Sequence, residues 1–133
     1  PYGSIRIERG LPMLRLQTSP CYLCPDFPCI RACPRGALRP VAGPRAVRIG
    51  RARLDRHACL AWDGGDCRLC LARCPLSGEA LVLEDFKPAV ASERCVGCGV
   101  CEHVCATVSS PPAIRIWPAE PAGAATTGPG GQC

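Results

Sequence analysis

The chain has 133 residues, with 16 basic against 11 acidic side chains and a formal charge of +5. Aromatics are only 5% of it while cysteines number 13, so bulky side chains are too few to fill a core, and small domains bury a modest share of their surface in any case. The basic residues are scattered along the chain, which argues against a nucleic-acid face, and no charge-free apolar run is long enough to span a bilayer.

In chain order, the first predicted elements are two short strands, Ser4-Ile5-Arg6-Ile7 and Met13-Leu14-Arg15-Leu16. A first cysteine quartet follows at Cys21, Cys24, Cys29 and Cys33. The alternating runs Ala46-Val47-Arg48-Ile49 and Ala52-Arg53-Leu54, broken by Gly50, predict a strand pair. The second quartet is Cys59, Cys67, Cys70 and Cys74. It is followed by a strand pair over Ala80-Leu81-Val82-Leu83 and Pro88-Ala89-Val90-Ala91. The third quartet is Cys95, Cys98, Cys101 and Cys105, with a last strand at Ala113-Ile114-Arg115-Ile116. Each quartet is expected to hold a helical turn, ended by Pro34 and Pro75 in the first two. Residues 118–133, rich in Pro, Gly, Ala and Thr, predict disorder, with Cys133 a lone free thiol.

The quartets start 38 and then 36 residues apart (21 to 59, 59 to 95), which is an internal repeat. In that repeat a strand pair follows a quartet. The N-terminal pair follows none, so a further quartet is expected upstream of Pro1. No secretion signal is visible, and a chain starting at Pro1 reads as a fragment or processed product.

Three close cysteines can wrap three corners of an iron–sulfur cube, but the fourth thiolate must come from farther away. In two-cluster ferredoxins the last Cys of each run, followed by Pro, ligates the other cluster. Cys33-Pro34 and Cys74-Pro75 carry that signature, and the third quartet has the same cysteine spacing with Ala106 in place of Pro. Pairing neighbouring quartets gives one cluster on Cys21, Cys24, Cys29 and Cys74, and a second on Cys59, Cys67, Cys70 and Cys33. Cys95, Cys98 and Cys101 then begin a third [4Fe–4S] site, its fourth ligand left open between Cys105 and a thiolate from the upstream quartet. Two complete clusters and an open third are expected. Each loaded cube carries about −2 charge, so three would bring +5 to roughly −1.

Structural zinc normally takes two separated ligand pairs and fits repeated triplets poorly. An odd cysteine count and close spacing disfavour a disulfide framework. A structural cluster without redox function needs one cube, not several. His57 and His103 read as surface or supporting residues, and Trp62 and Trp117 as packing lids. The Asp63-Gly64-Gly65-Asp66 run reads as a turn, since it lacks calcium-loop spacing. Backbone N–H groups around Gly97 and Gly99 are expected donors to cluster sulfur. No nucleophile set, phosphate loop or carboxylate pair is evident, so electron transfer is expected and catalysis on an organic substrate is not.

The three cysteine segments, in order, resemble the second, third and fourth cluster motifs of the MauM/NapG ferredoxin-type proteins. The segments are 21–38 (CYLCPDFPCIRACPRGAL), 59–75 (CLAWDGGDCRLCLARCP) and 95–105 (CVGCGVCEHVC), the last followed by Pro112-Ala113-Ile114-Arg115-Ile116. The resemblance spans roughly residues 1–118. It implies a four-motif protein exported folded to the periplasm. It also implies electron flow from a membrane quinol-oxidising iron–sulfur partner toward c-type cytochromes; without export the setting would be cytoplasmic. Another reading is an iron–sulfur wiring subunit of a molybdenum oxidoreductase. The expected fold is α+β and ferredoxin-like, with pseudo-repeated short hairpins and helices. Its divisions are an N-terminal strand pair at 1–20, a two-cluster domain at 21–92, half of a second unit at 93–117 and a tail at 118–133.

Overall fold

The computed structural model describes residues 3–119; most of the tail expected to be disordered, with Cys133, lies outside them. The molecule is mixed α+β, built from three short antiparallel strand pairs and three helices of four to six residues. Strands β1 (Ile5–Glu8) and β2 (Leu11–Leu14) form a hairpin turned by Arg9 and Gly10, both at positive φ. Helix α1 (Pro28–Arg31) follows, then a 3-10 turn at Pro44–Ala46 and strand β3 (Gly50–Leu54). Helix α2 (Leu69–Arg73), the β4 (Leu81–Glu84) and β5 (Lys87–Val90) hairpin, helix α3 (Val100–Cys105) and strand β6 (Ile114–Pro118) complete the order. Among the described residues no helix is long and apolar enough to cross a membrane.

One expected strand pair is corrected. The stretch 46–54 does not fold back at Gly50: Ala46 closes the 3-10 turn, and β3 runs as a single strand whose partner is β6. The physical reason is close packing. A Cβ at position 50 would stand 2.2 Å from the Trp117 carbonyl oxygen, so glycine is there to admit β6. The third-quartet loop leans on the same spot. Gly97, at φ +74, has its Cα hydrogen pointing at Gly50, and a Cβ would meet the Gly50 nitrogen at 2.3 Å.

Because β3 pairs with β6 and α2 packs on α3, residues from 50 to 118 close on themselves. The order is strand, quartet, helix, hairpin, quartet, helix, strand. The expected boundary at 92/93 falls inside this unit: the second quartet belongs with the third, not with the first.

The core is thin and rich in sulfur. Each of its three apolar clusters contains buried cysteine, packed with Leu23, Leu76, Val96 and Val100, with Ala52, Leu81 and Ile114, or with Ala61 and Ala113. The two hairpins share a register, Ile5↔Leu14 matching Leu81↔Val90, but not an environment. Leu81 and Ala89 are 2% and 4% exposed, while their counterparts Ile5 and Met13 are 36% and 41% exposed.

Gly97→Ala is expected to lower stability by about 2–4 kcal/mol, combining the left-handed backbone penalty with overpacking against Gly50. Gly36→Ala, at φ +62 with nothing within 4 Å, should cost only the backbone part, about 1–2 kcal/mol. Thermal unfolding of the metal-loaded protein compares the two.

Candidate iron–sulfur centres

Two compact cavities are bracketed by cysteine sulfur. Cys59, Cys67, Cys70 and Cys105 line the first, with Leu54, Pro88 and Ile114 among the walls. Cys74, Cys95, Cys98 and Cys101 line the second, with Ala52, Leu81 and Ile116. No charged side chain lines either cavity. Each takes three cysteines from one quartet and the last cysteine of the other.

The crossover follows from helix geometry. Cys70 and Cys74 are four residues apart along α2 and its end, and Cys101 and Cys105 are four apart along α3. Four residues of helix rise about 6 Å, so each run places one sulfur at each cavity. The last cysteines of the second and third quartets each line the other quartet's cavity, not those of the expected partners. Cys74 stands with the third quartet instead of with Cys21, Cys24 and Cys29. Cys105 stands with Cys59, Cys67 and Cys70, where Cys33 was expected. Neighbours in sequence looked like partners, whereas the β3–β6 pairing decides which quartets face each other.

The first quartet is split. Cys21 is half-buried, and Cys29 is exposed. Cys33 follows α1, and the backbone N–H groups of Leu38, Ala37, Arg35 and Gly36 hold its thiol below the usual range. Among the described residues it joins neither cavity.

Burial governs the other thiols. Removal from water pushes Cys70 and Cys98 up to about 11 and Cys101 higher still; neighbouring cysteines add to this, and adjacent backbone N–H groups oppose it. Those N–H groups come from Leu71 at Cys70, Val100 at Cys98 and Glu102 at Cys101. The expectation of donors around Gly97 and Gly99 is met at Val100. One donor had no sequence signal: the Ala52 N–H in β3 donates to the Cys95 Sγ at 3.3 Å.

The seven-residue stretch between Cys59 and Cys67 wraps the first cavity. It starts as a turn, with the Trp62 and Asp63 N–H groups bonding the Cys59 carbonyl, and the Gly65 N–H closes on the Leu60 carbonyl. Trp62 anchors it. Its Nε1–H donates to the Pro88 carbonyl at 3.0 Å, and Arg56 and Lys87 stand over its ring at 4.1 and 5.0 Å. It packs against the apolar cluster of Cys59, Ala61 and Ala113 beside the cavity. Trp117 instead lies 53% exposed on the β3–β6 ribbon beneath Arg53. His57 is exposed, its N–H on Asp55, and the His103 Nδ1–H bonds the Gln17 carbonyl at 2.7 Å; neither faces a cavity. Asp63, in the turn, and Asp66, beyond it, are both exposed.

The donor chemistry fits a four-cornered iron–sulfur group: four sulfurs around an apolar space, with N–H donors behind them. A single zinc ion would gather its sulfurs within about 2.3 Å of one point. Among the described residues no three cysteine, histidine or acidic side chains are drawn together in that way.

Comparison with known proteins agrees with this chemistry. The methylamine utilization ferredoxin-type protein MauM of Methylobacillus flagellatus is 40% identical over 121 residues, covering 84% of this chain and 51% of its own. Ferredoxin-type protein NapG of Haemophilus influenzae is 38% identical over 125 residues, 84% of this chain and 44% of its own, and that of Escherichia coli 36% over 138 residues, 89% and 59%. This chain is a homologue of the MauM and NapG ferredoxin-type proteins. It spans about half the length of the curated relatives it matches. No protein-family model matches it. In this MauM/NapG homologue all three quartets fall within the described residues.

Trp62→Ala should release the lid: iron loss from the first cavity on exposure to chelator should accelerate several-fold, while loss from the second is unchanged. Chelator-chase absorbance kinetics resolve the two phases. Thiol titration gives a second expectation. Binding iron requires thiolates, so loading releases protons wherever the free thiols are still protonated. With Cys70 and Cys98 raised to about 11, iron affinity should keep rising with pH beyond 9, where ordinary thiols would level off. Competition against a chelator between pH 7 and 10 measures the slope.

Proposed function

We propose that the protein is a ferredoxin-like electron carrier whose two cysteine-bracketed cavities each hold a [4Fe–4S] cluster. The observation that carries this is the exchange of Cys74 and Cys105 between two quartets around apolar cavities. When bound, such clusters supply reversible one-electron storage at a potential the protein tunes. The chain's own residues do the rest. Two sets bind: Cys59, Cys67, Cys70 and Cys105, and Cys74, Cys95, Cys98 and Cys101. The apolar walls and the Trp62 loop keep water away, and the N–H groups of Ala52 and Val100 offset negative charge on sulfur.

The first quartet holds three of four ligands of a further site, Cys21, Cys24 and Cys29. The repeat supports this. In the second and third quartets the last cysteine, four residues after its neighbour, serves a different site, and Cys33 stands four residues after Cys29. The fourth thiolate would come from another cysteine-rich loop covering the exposed apolar face of the β1–β2 hairpin, as quartet loops cover β4–β5. Cys33 would serve that loop's own cluster in return.

By resemblance to MauM and NapG, the carrier works in the periplasm between a membrane quinol-oxidising iron–sulfur partner and c-type cytochromes. A wiring subunit of a molybdenum oxidoreductase is the alternative, and a tightly co-purifying large subunit would favour it.

Anaerobic reconstitution with iron and sulfide quantitation tests the assignment. At least about eight irons per chain are expected, with EPR signals on reduction that vanish on reoxidation. Cys74→Ser and Cys105→Ser should each remove up to about four irons, while Cys33→Ser should leave both complete sites filled. Zinc or disulfides in place of iron and sulfide would end the reading.

A further inference from the structure

Basic side chains that are scattered in sequence meet on one ribbon of the fold. Strands β3 and β6 alternate between a buried and an exposed face. On the exposed face Arg53 stands directly across from Arg115, and Arg51 across from Trp117. Like charges opposite each other on neighbouring strands repel, and no ion pair among the described residues includes any of these three arginines. The Arg53 guanidinium lies 4.8 Å from the centre of the Trp117 ring, which is itself 53% exposed, so the ring steadies one cation without neutralising it. The face is a block of uncompensated positive charge with an aromatic side chain set in it. The other face of the same ribbon covers the cavities. Leu54 and Ile114 line the one bracketed by Cys59, Cys67, Cys70 and Cys105, and Ala52 and Ile116 line the one bracketed by Cys74, Cys95, Cys98 and Cys101. The arginines thus stand on the outside of a wall, one ribbon thick, that both cavities share.

We propose that the outer face of the β3–β6 ribbon is the docking surface for an electron-transfer protein that presents a cluster of carboxylates. Guanidinium forks match carboxylates in paired hydrogen bonds, and an acidic partner brings the counter-charge that Arg51, Arg53 and Arg115 lack. The exposed Trp117 ring adds an aromatic anchor of the kind that carries binding energy at interfaces. A partner seated there has only the ribbon between it and either cavity. Phospholipid headgroups would also satisfy the arginines, but a headgroup neither gives nor takes electrons, so the position over the cavities favours a protein. The docking surface rests on the electron-carrier reading and adds where a partner meets the molecule and with what charge.

The test measures binding of the reconstituted chain to a flavodoxin, an acidic one-electron carrier, by titration calorimetry at low and high salt. Binding is expected at low salt and should weaken as salt is added. Combining Arg51→Gln, Arg53→Gln and Arg115→Gln should weaken it about tenfold or more and remove most of its salt dependence. Combining Arg6→Gln, Arg9→Gln and Arg39→Gln takes the same charge from exposed positions outside the ribbon and should change binding by less than about twofold. Equal weakening by both sets, no weakening by the ribbon set, or no binding by the unsubstituted chain overturns the docking surface. Binding to vesicles of phosphatidylglycerol and phosphatidylcholine but not to the flavodoxin overturns it as well and gives the ribbon to a membrane. Iron and sulfide are quantified on every sample, and since no ribbon substitution touches a cysteine, both should stay unchanged. Should the triple variant lose them, Arg53→Gln alone is read the same way with a smaller expected loss of binding. An unsubstituted chain that takes up no iron or sulfide ends the carrier reading, an outcome distinct from a ribbon variant that binds as well as its control.

Discussion

On the proposed reading four thiolates surround each cluster, and no single short loop in this chain supplies all four. That requirement organises the molecule. Each of the second and third quartets gives three sulfurs to its own cavity and sends the last to the other. The exchange binds α2 to α3, and the chain between them is obliged to return as the β4–β5 hairpin. The chain outside them is obliged to close as the β3–β6 ribbon. Side-chain packing alone would not hold this. Among the described residues the largest fully buried side chains are only Leu81, Ile114, Pro20 and Pro88, and the apolar clusters are cemented by cysteine. Metal-binding free energy then becomes folding free energy.

The same requirement explains the cost of the metal-free state. Cys70, Cys98 and Cys101 sit where burial favours the neutral thiol. The site is built for a charge that the bound group spreads over iron and sulfide, not for bare thiolates. The donors behind the sulfurs are backbone N–H groups, which cannot lose a charge with pH. Surface ion pairs such as Arg15–Glu8 and Arg31–Asp26 are exposed and stabilise little.

Much of this was legible in the residues, and the misreadings are instructive. The hairpins at 5–14 and 81–90 show in the alternation of apolar residues, and the cluster ligands show in their spacing. Cys74-Pro75 carries the signature of a crossing final cysteine, whereas Cys105 crosses without a following proline and Cys33, with one, joins neither cavity. The partners were not legible, because adjacency in sequence says nothing about which quartets face each other. That choice depends on β3 finding β6, a pairing across some sixty residues. Gly50 hid it: a glycine between alternating runs reads as a turn, and only the approach of Gly97 and the Trp117 carbonyl shows it to be a packing contact. A better boundary signal was present in Pro34, Pro40 and Pro44, which break up the chain between the first and second quartets. The Ala52 N–H on Cys95 has no signature at all, since a backbone donor carries no residue identity.

The i, i+4 placement of the last two cysteines does more than assign ligands. Cys70 with Cys74, and Cys101 with Cys105, place one sulfur of each run at each of the two cavities. Since α2 carries Cys70 and leads into Cys74, and α3 carries Cys101 and Cys105, the packing of the two helices ties the cavities together. Ala52, Leu81 and Ile114 pack with Cys70 of one site and Cys101 of the other in one apolar cluster. The small side chain at position 52 and the two large ones at 81 and 114 thus form a single apolar layer, 1–2% exposed, that keeps water out of the gap. A polar or enlarged residue there would act on both sites together. A change in the Trp62 loop acts on one. Spacing is therefore held by the helices and dryness by this shared layer, which leaves the loops around each cavity to set the properties of that cavity alone.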